Sequence, residues 1–183
     1  MRFSPYSIRA LQLVTGAVVV SALLSLGAPP VLTASASDGV FNYPAAVAVS
    51  GTHVWIANFR GDSVTELNAS NGSLVHVINA TTDGFNAPRG VSVGGTHVWV
   101  TNGSGNSVTE LNALNGSLVR VVTAKADGFN TPIGVAVSGT HVWVTNLYGF
   151  SVTELNALNG SLGRVINATT DGFLNPNVVA ISG

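Results

Sequence analysis

Short runs of alternating apolar and polar residues make up most of the chain after residue 43. From Pro88 to Thr131 these runs are GVSV, HVWVTN, SVTELN and SLVRVVTA, and Gly, Asn or Ser residues separate each run from the next. A period of two residues, with Val, Thr and Trp prominent, is typical of strands. The connectors GGT, GSGN and ALNG have the length and composition of hairpin turns. The pattern therefore predicts four short antiparallel strands in this stretch and no helix.

This four-strand pattern recurs along the chain at a fixed interval of 44 residues, marked by Pro44, Pro88, Pro132 and Pro176. A unit of four strands in about 44 residues has the size of one β-propeller blade. The prediction is an all-β, β-propeller-like array of three four-stranded antiparallel blades plus the inner strand of a fourth. The partial propeller would span residues 37–183, with units 44–87, 88–131, 132–175 and a truncated unit 176–183.

The second run of each unit explains why a blade repeats an octapeptide such as GTHVWVTN. Val98 and Val100 would point to one side of the sheet, whereas Trp99 would point to the other. Because each blade lies between two others, both sides need apolar bulk. We therefore expect one tryptophan per blade to fill the gap between neighbouring sheets.

The segment GVSVGGTHVWVTNGSGNSVTELNALNGSLVRVV resembles the NHL and YVTN repeats of six- and seven-bladed propellers. Its VWVTN stands where those repeats carry Tyr-Val-Thr-Asn or Tyr-Val-Ala-Asp. The tandem copies are also similar to exported actinobacterial repeat proteins. The resemblance covers residues 39–183 and implies an innermost Pro-led strand and an outermost SLVRVV strand, but no activity. Closed propellers have about four to eight blades, so three blades and one strand predict an incomplete ring.

The N-terminal segment 1–36 has the pattern of a signal peptide. Arg2 and Arg9 precede an apolar stretch from Leu11 to Ala28, and small residues allow cleavage after Ala36. This predicts a secreted or extracytoplasmic protein. The alternative is an uncleaved anchor, since about 18 apolar residues can span a bilayer. Membrane association would then involve only this segment.

Composition narrows the chemistry of the chain. Only 8% of the residues are charged, and the formal net charge is −1. Because there is no basic stripe to neutralise phosphates, we expect no nucleic-acid partner. The chain has no cysteine, which excludes a disulfide framework and a cysteine nucleophile.

Three kinds of ionisable residue recur once per unit. Equivalent positions in successive blades do not converge, so we expect each histidine to bond to its own turn and no metal or cofactor to bind (His53, His97, His141). We expect the glutamates to be solvated or paired with Arg89, Arg120 or Arg164 (Glu66, Glu110, Glu154). The aspartates are expected to cap the turn before the inner strand (Asp83, Asp127, Asp171). No catalytic residue is predicted.

The units differ mainly in the loop after the second run, which reads FRGD, GSGN and LYGF, and in the residue after the repeat proline. The RGD tripeptide of the first loop is interpreted as one version of this variable turn. In a propeller both positions lie on the same side of the molecule. Variation there is typical of a binding surface, or of drift on exposed loops. The candidate binding face comprises Phe59, Arg60, Asp62, Arg89, Asn106, Ile133, Leu147, Tyr148 and Phe150.

The main hypothesis is a secreted, noncatalytic binding scaffold, a fragment of a longer repeat array, whose ligand is an unknown protein, glycan or cell-wall material. The alternative is an enzyme resembling virginiamycin B lyase or the gluconolactonase-type propellers. Those enzymes gather one asymmetric set of ligands at the channel mouth, and the repeats show no such set. The apolar edge NVVAISG can also template pairing with another chain, so self-association through open blade edges is expected.

Overall fold

The computed structural model describes residues 40–79, 84–123, 128–167 and 172–181. These residues contain twelve strands and no helix. No helix in these ranges is therefore long and apolar enough to cross a membrane. The proposed signal peptide, 1–36, and the repeated aspartates (Asp83, Asp127, Asp171) lie outside the described residues.

The strands form three four-stranded antiparallel sheets, each with its strands in chain order, which confirms the predicted blades. Blade 1 consists of β1 (Pro44–Ser50), β2 (His53–Asn58), β3 (Ser63–Asn68) and β4 (Leu74–Asn79). Blade 2 consists of β5 (Pro88–Gly94), β6 (His97–Asn102), β7 (Ser107–Asn112) and β8 (Leu118–Thr123). Blade 3 consists of β9 (Pro132–Ser138), β10 (His141–Asn146), β11 (Ser151–Asn156) and β12 (Leu162–Asn167).

Each blade presents two different apolar sides. The Trp face carries the tryptophan of the second strand, and the Val face carries the valines of the first and second strands. Trp55 on the Trp face of blade 1 packs with Val98 and Val100 on the Val face of blade 2. Trp99 of blade 2 packs in the same way with Val142 and Val144 of blade 3. The predicted alternation is confirmed, and the core consists of two copies of one interface.

The three blades form an open arc, so one face at each end has no neighbouring blade among the described residues. Val47 on the Val face of blade 1 is 46% exposed, whereas its equivalents Val91 and Val135 are 8% and 9% exposed. At the other end, Trp143 is only partly buried, whereas Trp55 and Trp99 are fully buried. The two end faces of the arc are thus more exposed than the equivalent faces between blades.

The segment after Pro176 does not form the predicted inner strand: the described residues 172–181 contain no strand. The segment nevertheless lies at the inner-strand position of a next blade. The Thr145 hydroxyl donates to the Asn177 carbonyl at 3.2 Å, as the Thr101 hydroxyl donates to Ile133 at 2.6 Å. A strand requires a hydrogen-bonded partner, and no second strand lies beside this segment among the described residues.

Candidate functional site: a variable loop face

Each variable loop begins directly after an asparagine and ends directly before a serine. The asparagine is the last residue of the second strand, the serine is the first residue of the third, and their side chains are bonded to each other. The Asn Nδ2–Ser Oγ distances are 3.2 Å, 3.1 Å and 3.2 Å in blades 1 to 3 (Asn58–Ser63, Asn102–Ser107, Asn146–Ser151). A constant side-chain clamp therefore closes the base of every variable loop.

A buried threonine on the third strand extends this clamp. The same Nδ2 atoms donate to threonine hydroxyls at 2.9 Å, 2.9 Å and 3.0 Å (Thr65, Thr109, Thr153). These asparagines and threonines are fully buried, and a buried polar group is costly unless it is hydrogen-bonded. The clamp is thus part of the fixed scaffold, and the four residues between its ends are free to differ.

Backbone bonds hold each loop against the segment that leads into the first strand. The first loop residue donates to the carbonyl of the residue before the repeat proline, at 2.9 Å for Phe59 and Tyr43. The equivalent bonds in blades 2 and 3 are both 3.0 Å (Gly103–Ala87, Leu147–Thr131). The variable loops and the variable residues around the prolines are therefore adjacent on one side of the arc, called here the loop face.

The fourth loop residue has a left-handed backbone in all three blades. Asp62, Asn106 and Phe150 have φ values of 44°, 47° and 47°. Asp62 and Asn106 suit this conformation, and their Oδ1 atoms accept the backbone N–H of Ala87 and Thr131 at 2.6 Å and 2.7 Å. Phe150 has no such acceptor and is 40% exposed. A bulky aromatic residue in this region is strained, so the third loop presents Phe150 at a local cost in stability.

Two arginines and two aromatic rings form a cluster at the boundary between blades 1 and 2. The Arg60 guanidinium carbon lies 4.8 Å from the centre of the Tyr43 ring, and that of Arg89 lies 4.3 Å from the centre of the Phe59 ring. The two rings are 5.8 Å apart. Within the described residues neither arginine forms an ion pair. This aromatic–arginine cluster (Tyr43, Phe59, Arg60, Arg89) is the most cationic part of the loop face.

The blade 3 part of the loop face is aromatic rather than cationic. Tyr148 is 61% exposed beside Phe150, and its carbonyl accepts the Asn130 side chain at 3.3 Å. Leu147 and Ile133 are partly buried, and Ile133 contributes its carbonyl to the bond with Thr101. The two predicted arginines thus lie on blades 1 and 2, whereas the predicted residues of blade 3 are all apolar or aromatic.

Sequence reasoning missed Tyr43 and the Asn–Ser clamps. Tyr43 precedes the repeat proline, and the same position holds Ala87, Thr131 and Asn175 in the other units. The variation of the residue type at this position between units could have indicated Tyr43 as part of the loop face. The signal for the clamps was the constant residue on each side of a variable tetrapeptide.

The repeated histidines do not bond as expected, and the repeated glutamates do so only in part. Each histidine bonds through Nδ1 to the glutamate of the neighbouring third strand rather than to its own turn: His53 lies 2.5 Å from Glu66, His97 lies 2.6 Å from Glu110, and His141 lies 2.5 Å from Glu154. The glutamates are buried rather than solvated. Their second partners are His76, Arg120 and Arg164, which confirms the expected pairing with Arg120 and Arg164, whereas the expected partner Arg89 is wrong. A carboxylate inside a stack of blades needs charged partners from its own sheet.

Glu110, in the middle blade, is affected most by this burial. Desolvation raises the pKa of Glu110 above its ordinary value of 4.5, while the nearby Arg120 and His97 act in the opposite direction. His97 Nδ1 and Arg120 Nε, on the neighbouring strands, each lie 2.6 Å from an oxygen of Glu110. The described residues contain no group of three or more His, Asp or Glu side chains that could hold a metal ion. The Glu–His contacts therefore belong to the blade scaffold.

Solved structures of other proteins share this architecture. The WD40 repeats of RRP9 match with a TM-score of 0.60 at 15% identity, over 68% of this chain and 38% of that structure. The virginiamycin B lyase from Staphylococcus aureus matches with a TM-score of 0.60 at 18% identity, over 74% of this chain and 44% of the enzyme. A streptogramin B lyase structure matches with a TM-score of 0.63 at 16% identity, over 75% and 44%.

Similarity at this level shows the fold alone. The chain spans less than half the length of each of these three structures. No protein-family model and no curated protein matches the sequence. Together with the three observed sheets, these comparisons define the class: the chain is a β-propeller-type repeat protein whose described blades form an open arc.

Proposed function

We propose that this protein is a secreted, noncatalytic binding scaffold of the NHL/YVTN repeat type, which holds a ligand on its loop face. The observation that carries the proposal is the division between clamp and loop. Every blade fixes the base of its loop with the same buried Asn, Ser and Thr side chains, yet the exposed loop residues differ between blades. A rigid scaffold that presents different side chains from equivalent loops is suited to recognition.

The chemistry of the loop face favours an anionic glycan of the cell envelope. Arginine binds carboxylate and phosphate groups through paired N–H donors, and Arg60 and Arg89 have no anionic partner within the described residues. The exposed rings of Tyr148 and Phe150 offer flat apolar surfaces on the blade 3 part of the same loop face. A sugar polymer with acidic groups would contact both kinds of side chain.

The binding test uses purified cell-wall sacculi that carry their anionic polymers, compared with sacculi from which these polymers have been removed. We expect the chain to co-sediment with the first and to bind the second at least about tenfold more weakly. The test variant replaces FRGD and LYGF by the GSGN loop of blade 2 (F59G, R60S, D62N, L147G, Y148S, F150N). Because GSGN already fits between the same clamps, this loop-levelled variant should fold and lose binding.

The matched control is L114S/L158S, which changes two exposed leucines in the turns at the opposite end of the blades, 73% and 75% exposed. We expect this variant to bind like the wild type. Equal binding by the loop-levelled variant would contradict the proposal. Turnover of the bound glycan by the wild type would instead favour the enzyme alternative.

A further inference from the structure

The two uncovered ends of the arc are the two halves of the interface that already joins its blades. Between blades 2 and 3, a Trp face meets a Val face and forms one apolar cluster. Blade 3 ends the arc with a Trp face, and blade 1 begins it with a Val face. The Trp face at one end of an arc is therefore complementary to the Val face at the opposite end of another arc.

Contacts at the outer rim show the same complementarity. A Cβ on Gly116 would lie 2.8 Å from Ile78 of the preceding blade, and one on Gly160 would lie 2.9 Å from Arg120. The equivalent Gly72 of blade 1 has no neighbour within 4 Å. The turns that contain Gly116 and Gly160 thus pack on the preceding blade. The turn that contains Gly72 in blade 1 has no preceding blade among the described residues.

Arg164 occupies the position from which its equivalent crosses to the next blade. In blade 2, Arg120 donates through Nη2 to the Leu158 carbonyl of blade 3 at 3.2 Å. Arg164 of blade 3 instead places its guanidinium carbon 5.4 Å from the centre of the Trp143 ring. The arginine thus lies over the tryptophan that a following blade would cover.

We propose that the partner of these ends is a second copy of the chain, with the Val face of blade 1 of each copy docked on the Trp face of blade 3 of the other. The contact joins two different surfaces head to tail, and such contacts close when the rotation completes a ring. Two three-blade arcs give six blades, which falls within the range of about four to eight that closed propellers use.

The segment Pro176–Ile181 lies in the way of this docking. Its sequence PNVVAI matches PAAVAV of β1, and it occupies the inner position that β1 of the second copy would take. The bond from Thr145 to Asn177 is 3.2 Å, longer than the equivalent 2.6 Å bond between blades 2 and 3. Because no strand ladder holds the segment, β1 of the partner can displace it.

A cysteine pair tests the contact directly, since the chain has no cysteine of its own. A Cβ on Gly94 would lie 2.8 Å from Cβ of Val137 across the interface of blades 2 and 3, and a disulfide spans about 3.8 Å between Cβ atoms. In the proposed contact the equivalent positions are Ser138 of one copy and Val49 of the other. We expect the S138C/V49C chain to form a covalent dimer under mild oxidation.

The matched control is S50C/V93C, the equivalent pair between blades 1 and 2, with the same two substitutions. We expect it to oxidise within one chain and to run as a monomer. Failure of S138C/V49C to cross-link while S50C/V93C oxidises would overturn the proposal. A ladder of species larger than the dimer would overturn the closed six-blade ring.

Sedimentation velocity of the otherwise unmodified full chain provides a second measurement. Val49 is 64% exposed, so V49D should fold, and we expect it to raise the dimer Kd by about tenfold or more because docking buries the carboxylate. The control V75D should leave Kd unchanged, since Val75 and its middle-blade equivalent Val119 are both 40% exposed. Deletion of residues 177–183 should lower Kd by removing the competing segment.

Equal Kd values for V49D and V75D would overturn the proposal. So would a wild-type chain that stays monomeric up to about 100 μM, the range that weak specific interfaces reach.

Discussion

Truncation of equivalent tryptophans should cost very different amounts of stability in different blades. Trp99 is fully buried between blades 2 and 3, whereas Trp143 is only partly buried on the outer side of blade 3. Truncation of a buried Trp to Ala costs about 3–5 kcal/mol. For a domain of this size, about 3 kcal/mol lowers Tm by roughly 10 °C. We expect W99A to show at least this loss and W143A to show about half of it or less, because fewer contacts disappear.

The indole N–H adds a second, opposite effect. The Nε1 atoms of Trp55 and Trp99 are buried and have no acceptor within the described residues. An unsatisfied buried donor costs about 1–3 kcal/mol, and phenylalanine removes this donor while it keeps a ring. We therefore expect W99F to be clearly more stable than W99A, so W99F also provides a measurable variant if W99A does not fold.

The assay is urea and thermal unfolding followed by circular dichroism, at low protein concentration and in the V49D background, in which we expect the chain to be monomeric. W55A should match W99A, because Trp55 is also fully buried. If W143A lost as much stability as W99A under these conditions, the claim that the Trp face of blade 3 is open would be wrong. If W99A left the unfolding stability almost unchanged, the repeated packing of a Trp face on a Val face would itself be refuted.

Two further predictions concern the third loop and the buried glutamate. F150N should raise Tm by about 2–4 °C, because asparagine tolerates a φ of 47° and can accept the N–H of Asn175 as Asn106 accepts that of Thr131. The same variant should weaken glycan binding. An unchanged or lower Tm would contradict the backbone strain at Phe150. For Glu110 the folded-state pKa is raised, mainly by desolvation, so its contribution to stability is full below about pH 4.5 and is lost as pH rises through the folded-state pKa. The wild type should therefore gain stability relative to E110Q as pH falls from about 8 toward 4.5, and urea midpoints that diverge in the opposite direction would show that the ion pairs outweigh burial.

The blades could be predicted from the sequence because their determinants are local and repeated. Alternation in HVWVTN and SVTELN, turn residues at hairpin spacing and the interval between prolines each depend on neighbouring residues only. Arg120 was among the partners expected for Glu110, but the sequence indicated neither its contact with His97 nor the burial of its carboxylate. The burial that forces His97 and Arg120 onto it comes from the blades on either side.

The candidate site was predicted in part for a similar reason. Loop variation indicated Phe59, Arg60 and Arg89, and the structure brings them together with Tyr43. The ring-to-guanidinium contacts depend on how blade 1 meets blade 2, which no local pattern encodes. The segment after Pro176 shows the converse: it has the composition of a strand, but strand formation also requires a partner.

Hydrogen exchange of the full chain with and without soluble anionic cell-wall glycan shows directly whether the loop face binds the glycan. The three loops differ in sequence, so peptides that contain residues 59–62, 103–106 and 147–150 can be told apart. We expect the glycan to slow exchange in the first and third of these loops and around Tyr43 and Arg89, while exchange in the turns at Leu114 and Leu158 stays unchanged. Protection confined to those opposite turns, or equal protection along all blades, would contradict a binding function on the loop face.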